Sequence, residues 1–432
     1  MKKIFIVIGV CMCSYACNKT QSRASLKKDS HSITYTNNKS ESKLSEEVSQ
    51  SEIPQVPILK IFIENSGSMD GFVNGPTEFK NVLFRYVSDI LNIKPKIVSS
   101  INPYYINSRI IPLKNSIETS ILKLSVSEFR KHGGERKDTD IADVISLVLK
   151  ESQEHDISCI VSDYIFSPGR KFCNNANAYL DQQQNLIYAE LIQKINNNSE
   201  FSVAILRFNS LFDGVFYNKC NERTTIQEQR PFFIWLLGNR ENIRPLISKK
   251  VLDPNNTMTP LTHIYTNEQE IDSESIQYAV KYDSSGHYQI DRTNKFKINK
   301  AKINPRTGHF TLKININLSK LLVPSEYIMD ISNYTLSHKN YNLSINEVAI
   351  NDKGYTHELI ISSNRIIPTN LEISLNKKLP EWVSELSDLD GSNVEIDDNM
   401  NKTYGLKQQI SAVDDAFKKH NDKYFQIKIS IN

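Results

Sequence analysis

The stretch that decides the fold spans residues 58–71 and reads ILKIFIENSGSMDG. Its first half is apolar at all positions but one, and a continuous apolar run of this length is typical of a strand that is covered on both faces. Its second half is polar and rich in glycine, with Glu64, Ser66 and Ser68 at alternate positions. We therefore predict a buried strand that leads directly into an oxygen-rich loop.

The composition of the chain is that of a globular protein. It has 432 residues, of which 39% are hydrophobic, and this length is sufficient for two or three domains. Its 52 basic and 49 acidic residues leave a net charge of only +3. Because no long basic run accompanies this balance, we expect no nucleic-acid partner.

The first 17 residues are organised as an export signal. Lys2 and Lys3 precede an apolar segment that is too short to span a bilayer. The end of this segment, SYAC at 14–17, resembles a loose bacterial lipobox, in which Cys17 would carry the lipid. Ordinary cleavage that releases a soluble protein is the alternative. We favour the lipid anchor because residues 18–56, rich in Ser, Lys, Asn and Glu, have the composition of a disordered tether.

Residues 57–252 alternate between strand and helix patterns. Apolar residues at three- and four-residue spacing predict helices at 76–91, 117–130, 140–151, 182–195 and 240–249. Apolar runs predict further strands at 96–106, 109–113, 157–162, 201–208 and 231–237. This alternation predicts an α/β domain with an open, doubly wound and mostly parallel sheet.

Residues 253–432 have a different pattern, with short alternating strands separated by polar turns. This pattern predicts a β-rich, sandwich-like C-terminal domain. One of its predicted strands covers 327–331. A late helix at 406–420 and a strand at 424–431 are predicted to end the chain.

Three cysteines follow the lipobox. Cys159 lies in an apolar run, where we expect a buried thiol. Cys173 and Cys220 lie in polar segments of an exported chain, and the sequence leaves open whether they form a disulfide or lie too far apart. The absence of a CxxC pair and of a Cys/His cluster in the sequence argues against a structural zinc site.

Two other oxygen donors lie at the ends of later predicted elements, at the positions that correspond to the loop after the first strand. Thr139 precedes the helix predicted at 140–151 and is its predicted cap, and Asp163 ends the strand predicted at 157–162. Ligands of open α/β sheets bind beyond the carboxyl ends of the strands. Carboxylate and hydroxyl oxygens are the ligands that Mg²⁺ prefers. We therefore predict a metal site formed by Glu64, Ser66, Ser68, Thr139 and Asp163.

In chain order, these residues resemble the metal-ion-dependent adhesion site of a von Willebrand factor A (vWA) domain. That family carries Asp-x-Ser-x-Ser after its first strand, a Thr in a later loop and an Asp at the end of its fourth strand. The resemblance covers roughly residues 57–252. It implies a vWA-like domain that binds Mg²⁺, or else Mn²⁺ or Ca²⁺, and a protein or surface ligand whose acidic group completes the coordination shell.

The sequence departs from the family at Glu64, which stands where the family has Asp. The extra methylene moves the carboxylate by about 1.5 Å, whereas Mg²⁺ requires distances of about 2.0–2.1 Å. Three consequences are compatible with this change. Glu64 replaces a bridging water, selects a larger ion, or marks a site that no longer binds metal.

The resemblance leads us to expect a lipid-anchored binding protein of the bacterial cell envelope, at the outer membrane. The residues after Cys17 lack the acidic run of some surface-exported lipoproteins, so we favour the periplasmic side, while the leaflet stays open. We expect no enzyme, because Ser68 lacks the glycine two residues earlier that a nucleophile elbow has. A structural or assembly factor with a vestigial metal loop is the alternative, followed by a hydrolase that uses Asp163 and the loop serines.

Overall fold

The computed structural model describes residues 56–137, 140–166, 168–252, 261–282, 287–350, 352–391 and 400–432. The predicted signal peptide, Cys17 and nearly all of the predicted tether lie outside these residues. The described residues belong to one compact unit. None of the helices within them is long and apolar enough to cross a membrane.

A seven-stranded sheet forms the centre of the α/β part. From one edge to the other its strands are β3 (Ile110–Pro112), β2 (Ser100–Ile106), β1 (Ile58–Glu64), β4 (Ile157–Ser162), β6 (Arg223–Asn239), β5 (Phe201–Tyr217) and β7 (Leu261–Glu268). Strand β1 pairs in parallel with β2 and β4, and the other neighbours are antiparallel. The fold is therefore mixed α/β, with its parallel pairing concentrated around β1. Strand β7 comes from beyond residue 253, where the second domain is predicted to begin; that boundary stays a prediction.

Helices cover both faces of this sheet. Successive side chains of β1 point to opposite faces, and since nearly all of them are buried, each face must be covered. Ile61 and Ile63 belong to one hydrophobic cluster and Phe62 to another. The helices of the first cluster are α1 (Asp70–Val73), α2 (Glu78–Asn92), α3 (Ile117–Leu122), α4 (Val126–Lys131) and α8 (Arg240–Leu246). Those of the second are α5 (Ile141–Glu151), α7 (Ala176–Asn197), α10 (Glu381–Glu385) and α11 (Leu406–Lys418). The short helix α6 (Gly169–Phe172) precedes α7.

Strands β5 and β6 form a hairpin in which each strand has 17 residues, about twice the predicted length. In β5 the first eight residues are buried, and beyond Phe208 burial becomes partial and alternates. The continuous apolar run on which the prediction rested therefore ends where the strands leave the covered part of the sheet.

Two predicted helix features are wrong. The helix predicted at 117–130 is two helices, since the Ser125 hydroxyl accepts a hydrogen bond from the backbone N–H of Glu128 (3.1 Å) and starts α4 anew. Helix α5 is capped by Asp140, whose side chain accepts from the N–H of Ala142 (3.0 Å), where Thr139 was the predicted cap.

The C-terminal part contains two further sheets. One has the order β12 (Tyr334–Leu336), β15 (Thr369–Asn376), β18 (Lys423–Ile431), β10 (Lys297–Lys302) and β9 (His287–Ile290). The other has the order β13 (Asn342–Glu347), β14 (His357–Ser363), β11 (Phe310–Ile316) and β8 (Tyr278–Lys281). Both contribute to one hydrophobic cluster, as packed sheets do. A short pair, β16 (Ser387–Asp388) with β17 (Thr403–Tyr404), completes the strands, and the strand predicted at 327–331 is wrong, because helix α9 covers Ser325–Met329.

Candidate metal site

The two carboxylates of the predicted site lie at the ends of neighbouring strands. Strands β1 and β4 are adjacent and parallel, Glu64 is the last residue of β1, and Asp163 directly follows β4. Their side chains therefore emerge at the same edge of the sheet, and both residues are only 2% exposed. The Ser162 hydroxyl donates a hydrogen bond to Oε2 of Glu64 and orients that carboxylate.

The loop serines connect these two carboxylates. The hydroxyl oxygens of Ser66 and Ser68 lie 3.0 Å apart. The side chain of Ser66 also lowers the pKa of Glu64, and that of Ser68 lowers the pKa of Asp163. Four of the five predicted ligands thus form one cluster, while Thr139 lies outside the described residues.

Burial dominates the electrostatics of the pair. Desolvation raises the pKa of Glu64 to about 8, the charge of Asp163 adds to this rise, and the hydroxyls of Ser162 and Ser66 oppose it. Desolvation also raises the pKa of Asp163, against the effects of the Ile165 backbone N–H, Ser68 and Arg230. Two buried carboxylates this close are costly to ionise together, and a bound cation would remove that cost.

One carboxylate oxygen of the cluster is unsatisfied. Oδ1 of Asp163 accepts a hydrogen bond from the Ile165 N–H (3.2 Å), whereas Oδ2 is buried without a hydrogen-bond partner among the described residues. Buried polar atoms normally have a partner. Arg230 is buried nearby, but within the described residues it forms no ion pair with Asp163. The donor set, two carboxylates and two hydroxyls with one free oxygen, is chemically suited to a divalent cation.

Arg136, which no sequence pattern indicated as a site residue, holds the loop in place. Its guanidinium donates to the carbonyl oxygens of Asn65 (2.6 Å) and Ser66 (3.3 Å) and to Oδ1 of Asp70 (2.5 Å). Its own carbonyl accepts from the N–H of Gly67 (2.8 Å). Asp70 is therefore neutralised by this arginine. A local sequence pattern carries no signal for such a contact, because 66 residues separate the partners.

Asn65 anchors the loop through buried hydrogen bonds. It is fully buried, its Nδ2 donates to the carbonyl oxygen of Phe129 (3.2 Å), and its Oδ1 accepts from Nδ2 of Asn107 (2.8 Å). A side-chain amide that is paired at both ends fixes the backbone between Glu64 and Ser66. The loop is consequently positioned by the rest of the fold before any ligand binds.

Three members of the cluster, Glu64, Ser66 and Ser68, line a cleft of about 940 Å³, whereas Asp163 is not among its described lining residues. Among the residues that the structure describes, five cationic side chains also line this cleft, and we call them the basic rim: Arg130, Arg136, Lys137, Arg170 and Arg223. A disulfide between Cys173 and Cys220, with Cα atoms 4.8 Å apart, joins the segment after α6 to the turn of the β5–β6 hairpin. This turn supplies Asn221 and Glu222 to the cleft wall. Cys159, in contrast, is a buried free thiol.

The described residues contain no group of three or more His, Cys, Asp or Glu side chains that could hold a metal. The predicted site has only two side chains of these types, and its other donors are hydroxyls. Comparison with protein-family models, curated proteins and solved structures found no match for this chain.

Proposed function

We propose that this protein is a lipid-anchored binding protein of the bacterial cell envelope, and that a vWA-like domain binds its partner through a divalent cation. The observation that carries the metal-binding part is the buried Oδ2 of Asp163, which has no hydrogen-bond partner in the described residues. It lies in a cluster with Glu64, Ser66 and Ser68. The central position of β1 between β2 and β4, with helices on both faces, supports the vWA-like part.

In this proposal, Ser66, Ser68, Glu64 and Asp163 hold Mg²⁺ or Mn²⁺, with Thr139 as a further predicted ligand. The ion neutralises the two carboxylates and keeps a position open for an acidic group of the partner. The basic rim would attract such a group, because a concave surface lined by cations raises the local concentration of anions.

Calorimetric titration of the Cys17→Ser protein with MgCl₂ and MnCl₂ tests the metal site. We expect saturable binding, and we expect its loss in the Ser66→Ala/Ser68→Ala variant with an unchanged circular dichroism spectrum. The exposed Ser127→Ala variant is the matched control and should bind as the parent does. Absence of binding in the parent protein would refute the metal site.

The lipid anchor requires its own test. Metabolic labelling with a palmitate analogue should label the wild-type protein and leave the Cys17→Ser variant unlabelled and released from membranes. Equal membrane association of both proteins would exclude the anchor at this residue.

A second candidate function is a structural or assembly factor with a vestigial metal loop. The observation that favours it is the raised pKa of Glu64, because a carboxyl group that holds its proton at neutral pH needs no metal. It predicts a partner that remains bound in the presence of EDTA, whereas the metal-dependent function predicts release.

A further inference from the structure

Strand β7 is an outer edge of the seven-stranded sheet, and a groove of about 750 Å³ lies along it. Six consecutive residues of β7, Leu261–Thr266, line one side of the groove. The groove is also lined by Pro324, Tyr327, Pro380 and Trp382. An edge strand with room beside it is a template for another extended chain, because its outer N–H and C=O groups have no strand to pair with.

The hydrogen bonds identify which backbone groups face this groove. The Tyr424 hydroxyl donates to the carbonyl oxygen of Thr266 (3.0 Å), so this carbonyl points away from β5. Along an antiparallel strand the direction alternates by residue, and the backbone groups of Ile264 therefore point outward as well. In the described part of the chain, no partner outside the β5 ladder is found for the N–H or C=O of Ile264.

Near the C-terminal end of β7, two outward-facing backbone groups already have hydrogen-bond partners. The N–H of Glu268 donates to the Oδ1 atom of its neighbour Asn267 (2.9 Å), and Tyr424 occupies the carbonyl of Thr266. Within the described residues, Ile264 therefore has its outward N–H and C=O groups unpaired in the part of β7 that lines the groove. The unpaired backbone groups and the groove thus lie at the same part of β7, which indicates a place for an incoming strand.

The side chains around the groove define the chemistry of the occupant. Trp382 packs against His263 with ring centroids 4.9 Å apart, and Nδ1 of His263 is buried without a partner in the described residues. Burial lowers the pKa of His263, which favours the neutral form of this ring. The apolar surface of Trp382, together with Pro380, is suited to an aliphatic side chain of a bound segment.

The charged groups of the groove are mainly acidic. Glu326, Asp330 and Glu381 line it, and none of the three forms an ion pair within the described residues. Lys378 is the one lysine or arginine among the described lining residues, and its Nζ donates to the carbonyl oxygen of Ser332. The groove therefore complements a cationic segment.

We propose that this groove binds an extended segment of a partner protein that contains lysine or arginine, and that the segment pairs with β7 as an additional strand. Its backbone hydrogen-bonds to Ile264 and to the N–H of Thr266. Its side chains contact Trp382 and the carboxylates that line the groove. This site is separate from the cleft at Glu64 and does not depend on the metal.

Tryptophan fluorescence provides the test. The chain has two tryptophans, and Trp235 is fully buried, so a change on peptide addition reports on Trp382. The probe is a capped synthetic peptide of about eight residues with alternating Lys and Val, a length typical of a strand. Two control peptides have Glu in place of Lys, or N-methyl groups on alternate backbone nitrogens, which remove the donors.

We expect saturable binding of the Lys/Val peptide and none of either control peptide. The Glu326→Lys/Glu381→Lys variant should bind the Lys/Val peptide about tenfold more weakly. The variant Glu154→Lys/Glu228→Lys makes the same charge change at exposed positions outside the groove and should bind as wild type does. Equal binding of the N-methylated or the Glu/Val peptide would overturn the proposal, as would absence of binding or a dimer of this chain that the peptide does not displace.

Discussion

Nη2 of Arg136 lies 2.5 Å from Oδ1 of Asp70, and the same guanidinium holds the carbonyl oxygens of Asn65 and Ser66. The loop that carries the predicted metal ligands is therefore fixed by one arginine from a distant segment. Arg130 also approaches Asp70, at 3.4 Å, but its side chain is 67% exposed against 19% for Arg136. Arg136 and Arg130 therefore allow a largely buried contact with Asp70 to be compared with an exposed contact with the same residue.

We expect Arg136→Gln to lower the free energy of unfolding by about 1–3 kcal/mol, because Asp70 and two carbonyl groups lose their charged donor. Mg²⁺ affinity should also fall, since the loop loses its position. Arg130→Gln should change stability by less than about 0.5 kcal/mol. Urea denaturation of both variants measures the difference, and equal effects would contradict the role assigned to Arg136.

Gly67 in the loop and Gly71 in helix α1 should differ in tolerance to alanine. A Cβ atom on Gly71 would lie 2.5 Å from the Phe212 ring, whereas one on Gly67 would be 3.5 Å from its nearest neighbour, the carbonyl oxygen of Arg136. We expect Gly71→Ala to cost about 1–3 kcal/mol through overpacking, and Gly67→Ala to change stability by less than about 0.5 kcal/mol. Thermal unfolding of the two variants provides the measurement; a destabilised Gly67→Ala beside an unaffected Gly71→Ala would contradict this packing.

Glu64 should make stability depend on pH when metal is removed. Its pKa is raised from 4.5 to about 8 in the folded protein, so between these values the folded state holds a proton that the unfolded state has released. Its contribution to stability is therefore complete below pH 4.5 and is lost as the pH rises to about 8. In EDTA we expect the free energy of unfolding to fall over this interval, with a maximum slope of about 1.4 kcal/mol per pH unit from this group.

The Glu64→Gln variant removes this titration and should have a flatter profile in EDTA. Mg²⁺ affinity of the wild-type protein should change in the opposite sense and increase as the pH rises, because the ion requires the ionised carboxylate. Denaturation at a series of pH values compares the two proteins. Parallel profiles would show that Glu64 does not titrate in this interval.

The disulfide should stabilise the cleft wall. Cys173 and Cys220 are 47 residues apart, and removal of a bridge of this separation in a Cys173→Ser/Cys220→Ser variant should cost about 2–4 kcal/mol. The same loss is expected when wild-type protein is treated with dithiothreitol. Cys159→Ala is the control for the free thiol, and the difference between its oxidised and reduced forms should match that of the wild-type protein. A melting temperature of the double variant unchanged from the oxidised wild type would argue against a stabilising bridge.

Local patterns in the sequence determined the elements that build the candidate site. The apolar runs before Glu64 and Asp163 predicted β1 and β4, because a strand buried on both faces must be apolar at consecutive positions. The same logic failed where burial is partial, as in the outer half of β5, and where a serine cap divides a continuous helical pattern at Ser125.

Only the tertiary structure decided which of these donors meet and what holds them. The hydrogen bond from Ser162 to Glu64 and the contact of Arg136 with Asp70 join residues that are far apart in the chain. The same packing leaves Oδ2 of Asp163 without a partner among the described residues. The groove along β7 likewise depends on the position of Trp382, more than 100 residues beyond that strand. Periodicity reports whether a side chain is buried, since burial follows from local geometry, but which neighbour it meets is decided by the packing of the whole sheet.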